Sequence, residues 1–140
     1  MSVAEMLRTH PADFGGIDRD VLRRCIEECV ACAQACTACA DACLAEPDDV
    51  LPSLRKCIRI NTDCADVCET TARVLSRHTN DVELTRAVLE ACATVCRSCA
   101  DECEQHASHH EHCRVCAEAC RRCEQACREV IDGLAAGAGR

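Results

Sequence analysis

The chain has 140 residues, a length typical of one domain, and 18 of them are cysteine. A net charge of −8 with one Phe and no Trp or Tyr excludes a phosphate-binding or base-stacking surface for nucleic acid. No apolar run approaches a membrane span, and no basic segment followed by an apolar core opens the chain. We therefore expect a cytoplasmic protein that binds no membrane.

The chain begins with a short, weakly held lead-in over residues 1–17. Ser2 and Glu5 stand at capping-box spacing for one or two helical turns, which Pro11 ends. The glycine pair at 15–16 is typical of a flexible joint.

Four long helices are predicted after the lead-in. Asp18 is a good N-cap for the first, and the capping-box pairs Asn80 with Glu83 and Ser108 with Glu111 begin the third and fourth. The predicted spans are Asp18–Ala45, Asp49–Arg77, Asn80–Ala107 and Ser108–Gly133.

These elements predict an all-α fold, because no segment shows the alternation of a strand. Connections of a few residues force neighbouring helices to be antiparallel. The predicted architecture is an up-down-up-down four-helix bundle over residues 18–134, with the N-terminal helical lead-in before it and a flexible tail over residues 135–140.

The cysteines recur at steps of three and four residues, which is the a/d pattern of a coiled-coil seam. All of them are therefore predicted to face the bundle axis. One inward position of the second helix carries Asn61 instead of cysteine. The cysteines of the four helices are Cys25, Cys29, Cys32, Cys36, Cys39 and Cys43; Cys57, Cys64 and Cys68; Cys92, Cys96, Cys99 and Cys103; Cys113, Cys116, Cys120, Cys123 and Cys127.

So many thiols in one interior favour metal binding. Cysteine-dense chains are usually disulfide scaffolds, but a cytoplasm keeps thiols reduced, although the even count does not exclude disulfides. Buried cysteines can also act as small hydrophobes. Leucine would fill these inward positions better, so we interpret the cysteines as metal ligands.

The length of the thiol ladder favours Cu(I) over other metals. Structural zinc needs closed sets of four ligands, and iron–sulfur clusters favour loops wrapped around one cluster. Neither needs a ladder of about 27 Å, the rise from Cys25 to Cys43. Cu(I) is soft and selects thiolate, and neighbouring ladder positions can share one ion. A zinc or mixed-metal thiolate sink stays the first alternative, and an iron–sulfur electron carrier is less favoured.

The cysteine ladder on four helices resembles the bacterial four-helix-bundle copper storage proteins, in their cytosolic branch. The resemblance covers residues 18–134 and departs from a full ladder at Asn61. It implies a homotetramer of bundles that store many Cu(I) ions and keep copper harmless. No Ser/His/Asp arrangement, phosphate loop or carboxylate pair indicates catalysis, so we expect a binding protein rather than an enzyme, with a copper chaperone as a candidate donor.

The two ends of the predicted bundle differ in chemistry. We call the end marked by Cys43, Cys57, Cys103 and Cys113 the mouth, because a histidine-rich connection lies beyond it. Imidazole suits copper, so the mouth is the predicted entrance. The candidate ligands there are His106 and His110 first and His112 third, while His109 points outward. The alternative for this segment is a solvated polar connection.

The opposite end, here called the aliphatic end, is predicted to be a plug of apolar side chains. His10 and His78 are predicted to be ordinary surface histidines. The residues of the aliphatic end are Val21, Leu22, Leu75, Val88, Leu89, Val130, Ile131 and Leu134.

Overall fold

The computed structural model describes residues 2–137, and in that range the chain forms five α-helices and no strand. Four long helices follow one short helix, which confirms the predicted fold class. The helices are α1 Val3–Thr9, α2 Arg19–Leu44, α3 Leu51–Ser76, α4 Val82–His106 and α5 Glu111–Gly137.

The long helices form a closed ring around one axis. Helix α2 packs against α3 and α5, and helix α4 packs against the same two helices. Sequential neighbours run antiparallel because their connections are short. Within residues 2–137, no helix is both long enough and apolar enough to serve as a membrane span.

The predicted start of α2 is confirmed, whereas α4 begins one residue later than predicted. Asp18 caps α2 as predicted, since its side chain accepts hydrogen bonds from the backbone N–H groups of Asp20 and Val21 at 2.8 and 3.2 Å. Helix α4 is capped by Asp81 instead of Asn80, through a hydrogen bond from the N–H of Leu84 at 3.0 Å. Asn80 takes a left-handed conformation with φ of 60°, which suits asparagine, and so ends the turn one residue before the cap.

The start of α5 also differs from its prediction. Ser108 does not begin the helix, because the N–H groups of His109 and His110 bond back to the carbonyl of His106 and continue the turn. The first helical bonds go from Cys113 and Arg114 to the carbonyl of His110.

The last helix also extends beyond its predicted end near Gly133 and continues to Gly137. Residues 138–140 of the predicted tail lie outside the described residues.

The lead-in is more firmly packed than predicted. Helix α1 packs against α2, and Leu7 and Phe14 are each only 4% exposed. The capping box is not formed, since the side chain of Ser2 makes no cap hydrogen bond. Gly15 and Gly16 in the connection between α1 and α2 both have positive φ, which glycine adopts without strain.

The aliphatic end is buried, and the lead-in covers part of it. Leu22, Leu75, Leu89, Val130 and Leu134 are all at most 5% exposed, whereas Val21, Val88 and Ile131 are half-buried.

Aromatic contacts add to this cover at the aliphatic end. The rings of His78 and Phe14 lie 4.0 Å apart between centroids, and His10 lies 5.6 Å from Phe14. His10 and His78 are predicted to be ordinary surface histidines, but in the structure both are half-buried beside Phe14.

Candidate metal centre

All eighteen cysteines lie in the interior of the bundle as free thiols. None is more than 2% exposed, so each occupies the inward face that its spacing predicts. A burial this complete puts the sulfur atoms in one continuous volume along the axis. Ions bound there would be shielded from water along the length of the bundle.

The sulfur atoms approach each other across helices as closely as they do within one helix. Cys64 and Cys68 of the same helix lie 3.8 Å apart. Two sulfurs bound to one ion at about 2.3 Å, with an angle near 120°, lie about 4.0 Å apart. Both sets of distances therefore suit an ion shared by two thiolates. The shortest contacts between helices are Cys68–Cys96 at 3.5 Å, Cys36–Cys120 at 3.6 Å and Cys57–Cys103 at 3.6 Å.

The sulfurs also form groups of four whose atoms all lie within 4.8 Å of one another. Neighbouring groups share sulfur atoms. Four cysteines belong to two groups each: Cys32, Cys36, Cys120 and Cys123. Shared sulfurs join four of these groups into one connected array. Five of these groups, in order along the bundle, are Cys29, Cys92, Cys123 and Cys127; Cys32, Cys68, Cys96 and Cys123; Cys32, Cys36, Cys64 and Cys120; Cys36, Cys99, Cys116 and Cys120; Cys39, Cys43, Cys57 and Cys113.

Asn61 fills the gap in the ladder with a polar side chain that faces the thiols. It is fully buried, and its Oδ1 accepts hydrogen bonds from Cys99 at 3.0 Å and from Cys116 at 3.3 Å. Its Nδ2 donates to the sulfur of Cys57 at 3.7 Å. The buried amide is therefore hydrogen-bonded on both sides, as a buried polar group requires.

The crowded thiols do not titrate alike. Hydrogen bonds from Cys103 and Cys113 lower the pKa of Cys57 to about 4. The pKa of Cys103 is raised, because this thiol donates to neighbouring sulfurs, Cys116 first, and is buried. A thiol with a lowered pKa thus lies beside one with a raised pKa near the mouth, and an incoming cation would displace protons from the thiols.

At the mouth, His112 lies closest to the sulfur array. Its Nδ1 lies 3.4 Å from the sulfur of Cys39 and 3.6 Å from that of Cys113, and these two sulfurs are 4.0 Å apart. Two sulfurs and one nitrogen around a trigonal ion would lie about 4.0 Å (S to S) and about 3.7 Å (S to N) apart. The three donors therefore match a three-coordinate site to within a few tenths of an ångström.

The charge state of His112 depends on its neighbours. Burial lowers its pKa, but hydrogen bonds with Cys39 and Glu46 outweigh burial, so the pKa of His112 lies above its usual value. A proton on Nδ1 would block metal binding there.

The other two predicted histidines are held by carboxylates. His106 Nε2 lies 2.9 Å from Glu102 Oε2, and His110 Nδ1 lies 3.4 Å from Glu46 Oε2. Of the three candidate histidines, it is His112, placed third from the sequence, whose ring nitrogen contacts sulfur. His109 is exposed, in agreement with its prediction.

Two carboxylates at the mouth were not predicted from the sequence. Glu46 contacts both His110 and His112, and Glu102 is only 6% exposed between His106 and Lys56. Glu102 precedes His106 by four residues, an i,i+4 spacing that could have suggested the pair. Glu46 has no such local signal, because it lies 64 and 66 residues before its partners in the sequence.

Comparison with known proteins places this geometry in a family. A family model for copper storage proteins matches residues 18–132. A structure of the copper storage protein Ccsp from Streptomyces lividans, loaded with 10 copper equivalents, is 67% identical, covers 94% of this chain and 98% of its own, and has a TM-score of 0.91.

Two further structures extend the comparison. A five-copper structure of the cytosolic protein from S. lividans is 67% identical over 84% of this chain and 97% of its own, with a TM-score of 0.80. The apo form of copper storage protein 3 from Bacillus subtilis is 32% identical over 77% of this chain and 96% of its own, with a TM-score of 0.66. No curated protein matches the chain.

Proposed function

The chain belongs to the copper storage protein family, and we propose that it stores many Cu(I) ions along its thiol-lined axis and so keeps copper harmless. The proposed ligands are the eighteen cysteines, with His106, His110 and His112 at the mouth. Thiolate is the ligand that soft Cu(I) selects, and its negative charge offsets the cation in a buried site.

The sharing of sulfurs between groups of four is the observation that carries this proposal. Tetrahedral ions need four ligands each, so the array would hold far fewer such ions than thiols even if Cys32 and Cys123 each bridged two sites. Cu(I) accepts two or three thiolates, and one thiolate can bridge two ions. The connected array therefore favours a chain of bridged ions with nearly as many ions as thiols.

We propose that copper enters at the mouth and is first held by Cys39, Cys113 and His112. Their three donors already lie at trigonal spacing in the metal-free structure. From there an ion could pass to Cys43 and Cys57, which belong to the same group of four as Cys39 and Cys113. The aliphatic end carries buried apolar side chains instead, among them Leu22, Leu89 and Val130.

Our proposal also covers the compartment, the assembly and the copper donor of the protein. The relative from S. lividans with five coppers is described as cytosolic, and we propose the same compartment for this chain. We also propose that the bundles assemble as a homotetramer, that a copper chaperone delivers the metal, and that the protein performs no catalytic step.

A zinc or mixed-metal thiolate sink is the second candidate, because each group of four sulfurs has the ligand number of a structural zinc site. Anaerobic Cu(I) titration of reduced protein, followed by native mass spectrometry, separates the two. We expect saturation at about 15–20 Cu(I) per chain, since bridging allows about one ion per thiol. A parallel Zn(II) titration should stop near four ions. Saturation with copper at only four or five ions would contradict a bridged copper chain.

A further inference from the structure

Glu46 connects the two sides of the mouth. It lies in the connection between α2 and α3, where it is half-buried. Its two carboxylate oxygens contact two different rings across the mouth: Oε1 lies 3.3 Å from His112 Nε2, and Oε2 lies 3.4 Å from His110 Nδ1. One side chain of the first connection thus holds both histidines at the start of α5.

The contact with Glu46 decides which nitrogen of His112 is free. A carboxylate can only accept a hydrogen bond, so Nε2 carries the ring proton that it donates to Glu46. In the neutral ring, Nδ1 then keeps its lone pair, and Nδ1 is the nitrogen that faces the sulfurs of Cys39 and Cys113. A metal ligand needs this arrangement, since only the unprotonated nitrogen can bind a cation.

We propose that Glu46 is a positioning residue for copper capture, which holds the His112 ring with its Nδ1 lone pair directed at Cys39 and Cys113. This inference rests on the proposed storage of Cu(I). Glu46 itself binds no copper in this scheme and acts through the imidazole, as carboxylates do behind many metal-bound histidines.

The contact with Glu46 is needed to orient the His112 ring because this ring lies at the outer edge of the mouth. Its side chain is 25% exposed, in the first turn of α5, so solvent is open to the ring on one side. Without the carboxylate, the ring gains rotamers that turn Nδ1 away from the thiols, and ordering it again opposes metal binding. Capture of the first ion should therefore suffer, while the inner thiols remain unchanged.

The test compares four proteins: the parent, Glu46→Ala, Glu46→Gln and Asp48→Ala. Asp48 is the matched control, an exposed acid of the same connection. Nitrogen-15 NMR of the His112 ring in the full metal-free chain reports which nitrogen carries the proton and how mobile the ring is. Stopped-flow transfer from a Cu(I)–chelator complex reports the rate of first capture, and native mass spectrometry reports capacity.

We expect Glu46→Ala to slow first capture about tenfold and to mobilise the His112 ring, with full capacity retained. Glu46→Gln should slow first capture less, because its amide oxygen still accepts a hydrogen bond from Nε2 of His112. Asp48→Ala should capture copper at the rate of the parent. In a His112→Ala background, Glu46→Ala should cause no further slowing.

Equal capture rates for Glu46→Ala and Asp48→Ala would overturn the proposal. So would an equal slowing by Glu46→Ala with and without His112, because that result would mean that Glu46 acts through His110 or through charge at the mouth and not through His112. If the parent itself took up only a few ions, the storage function would fail instead, and the capacity measurement identifies that case.

Discussion

The metal-free bundle should be held together mainly by its aliphatic end, and Leu89→Ala tests this directly. Leu89 is fully buried and belongs to the same apolar cluster as Leu22, Leu75 and Val130. Leu84 lies on the same helix but is 46% exposed, so Leu84→Ala is the matched control. Neither residue is a proposed copper ligand, so the copper capacity of both variants should equal that of the parent.

The expected cost follows from burial. Removing a fully buried leucine side chain costs about 2–5 kcal/mol, because lost transfer free energy and a residual cavity add together. We expect Leu89→Ala to lower the free energy of unfolding by about 3 kcal/mol. Unfolding entropy of about 2.1 cal/mol/K per residue amounts to about 0.29 kcal/mol/K for 140 residues. The melting temperature should therefore fall by about 10 °C.

Thermal unfolding of the reduced, metal-free proteins, followed by circular dichroism, measures this difference. Leu84→Ala should change stability by less than about 0.5 kcal/mol, or under about 2 °C. Copper loading should raise the melting temperature of all three proteins, since the ions bind the folded form. Equal melting of the two variants would refute the reasoning. So would a metal-free parent without a cooperative transition, because the thiol array would then need copper to fold.

Two further predictions concern loading. Asn61→Cys places a nineteenth thiol between Cys57, Cys99 and Cys116. Native mass spectrometry should therefore show about one more copper ion bound per chain. An unchanged capacity would mean that this position lies outside the bridged array. Loading should also slow as pH falls through the raised pKa of His112, above the usual value near 6.5, because the protonated ring cannot bind copper. Stopped-flow uptake between about pH 5.5 and about pH 8.5 should lose this inflection in His112→Ala, and an unaltered profile would assign the titration to other groups.

Local pattern was sufficient for the fold and for the direction of the thiols. The three-and-four spacing puts every cysteine on one helical face, and an apolar or thiol face must turn inward. The cap at Asp18 was also correct, since the signal lies within three residues of the helix it begins. Starts at Asn80 and Ser108 were wrong by one or more residues, because turn conformation and not residue type decided where each helix could begin.

The mouth shows where local pattern stops being informative. His106 and His110 are predicted first because their spacing continues the ladder, whereas in the structure it is the Nδ1 of His112 that contacts sulfur. His112 was placed third because it lies beside Cys113 in sequence rather than on its face. Its contact with Cys39 depends on how α2 and α5 are aligned along the axis, which no spacing within one helix can express.

By itself, the sequence determined a four-helix bundle with eighteen inward thiols and a chemical difference between its two ends, because helix period and residue type are properties of each segment alone. Only the tertiary structure decided which sulfurs from different helices lie in contact. It also decided that Asn61 hydrogen-bonds to thiols of α3, α4 and α5, and that Glu46 contacts His112. The physical reason is that these contacts depend on the relative height and rotation of packed helices. That alignment arises from the packing of all four helices at once.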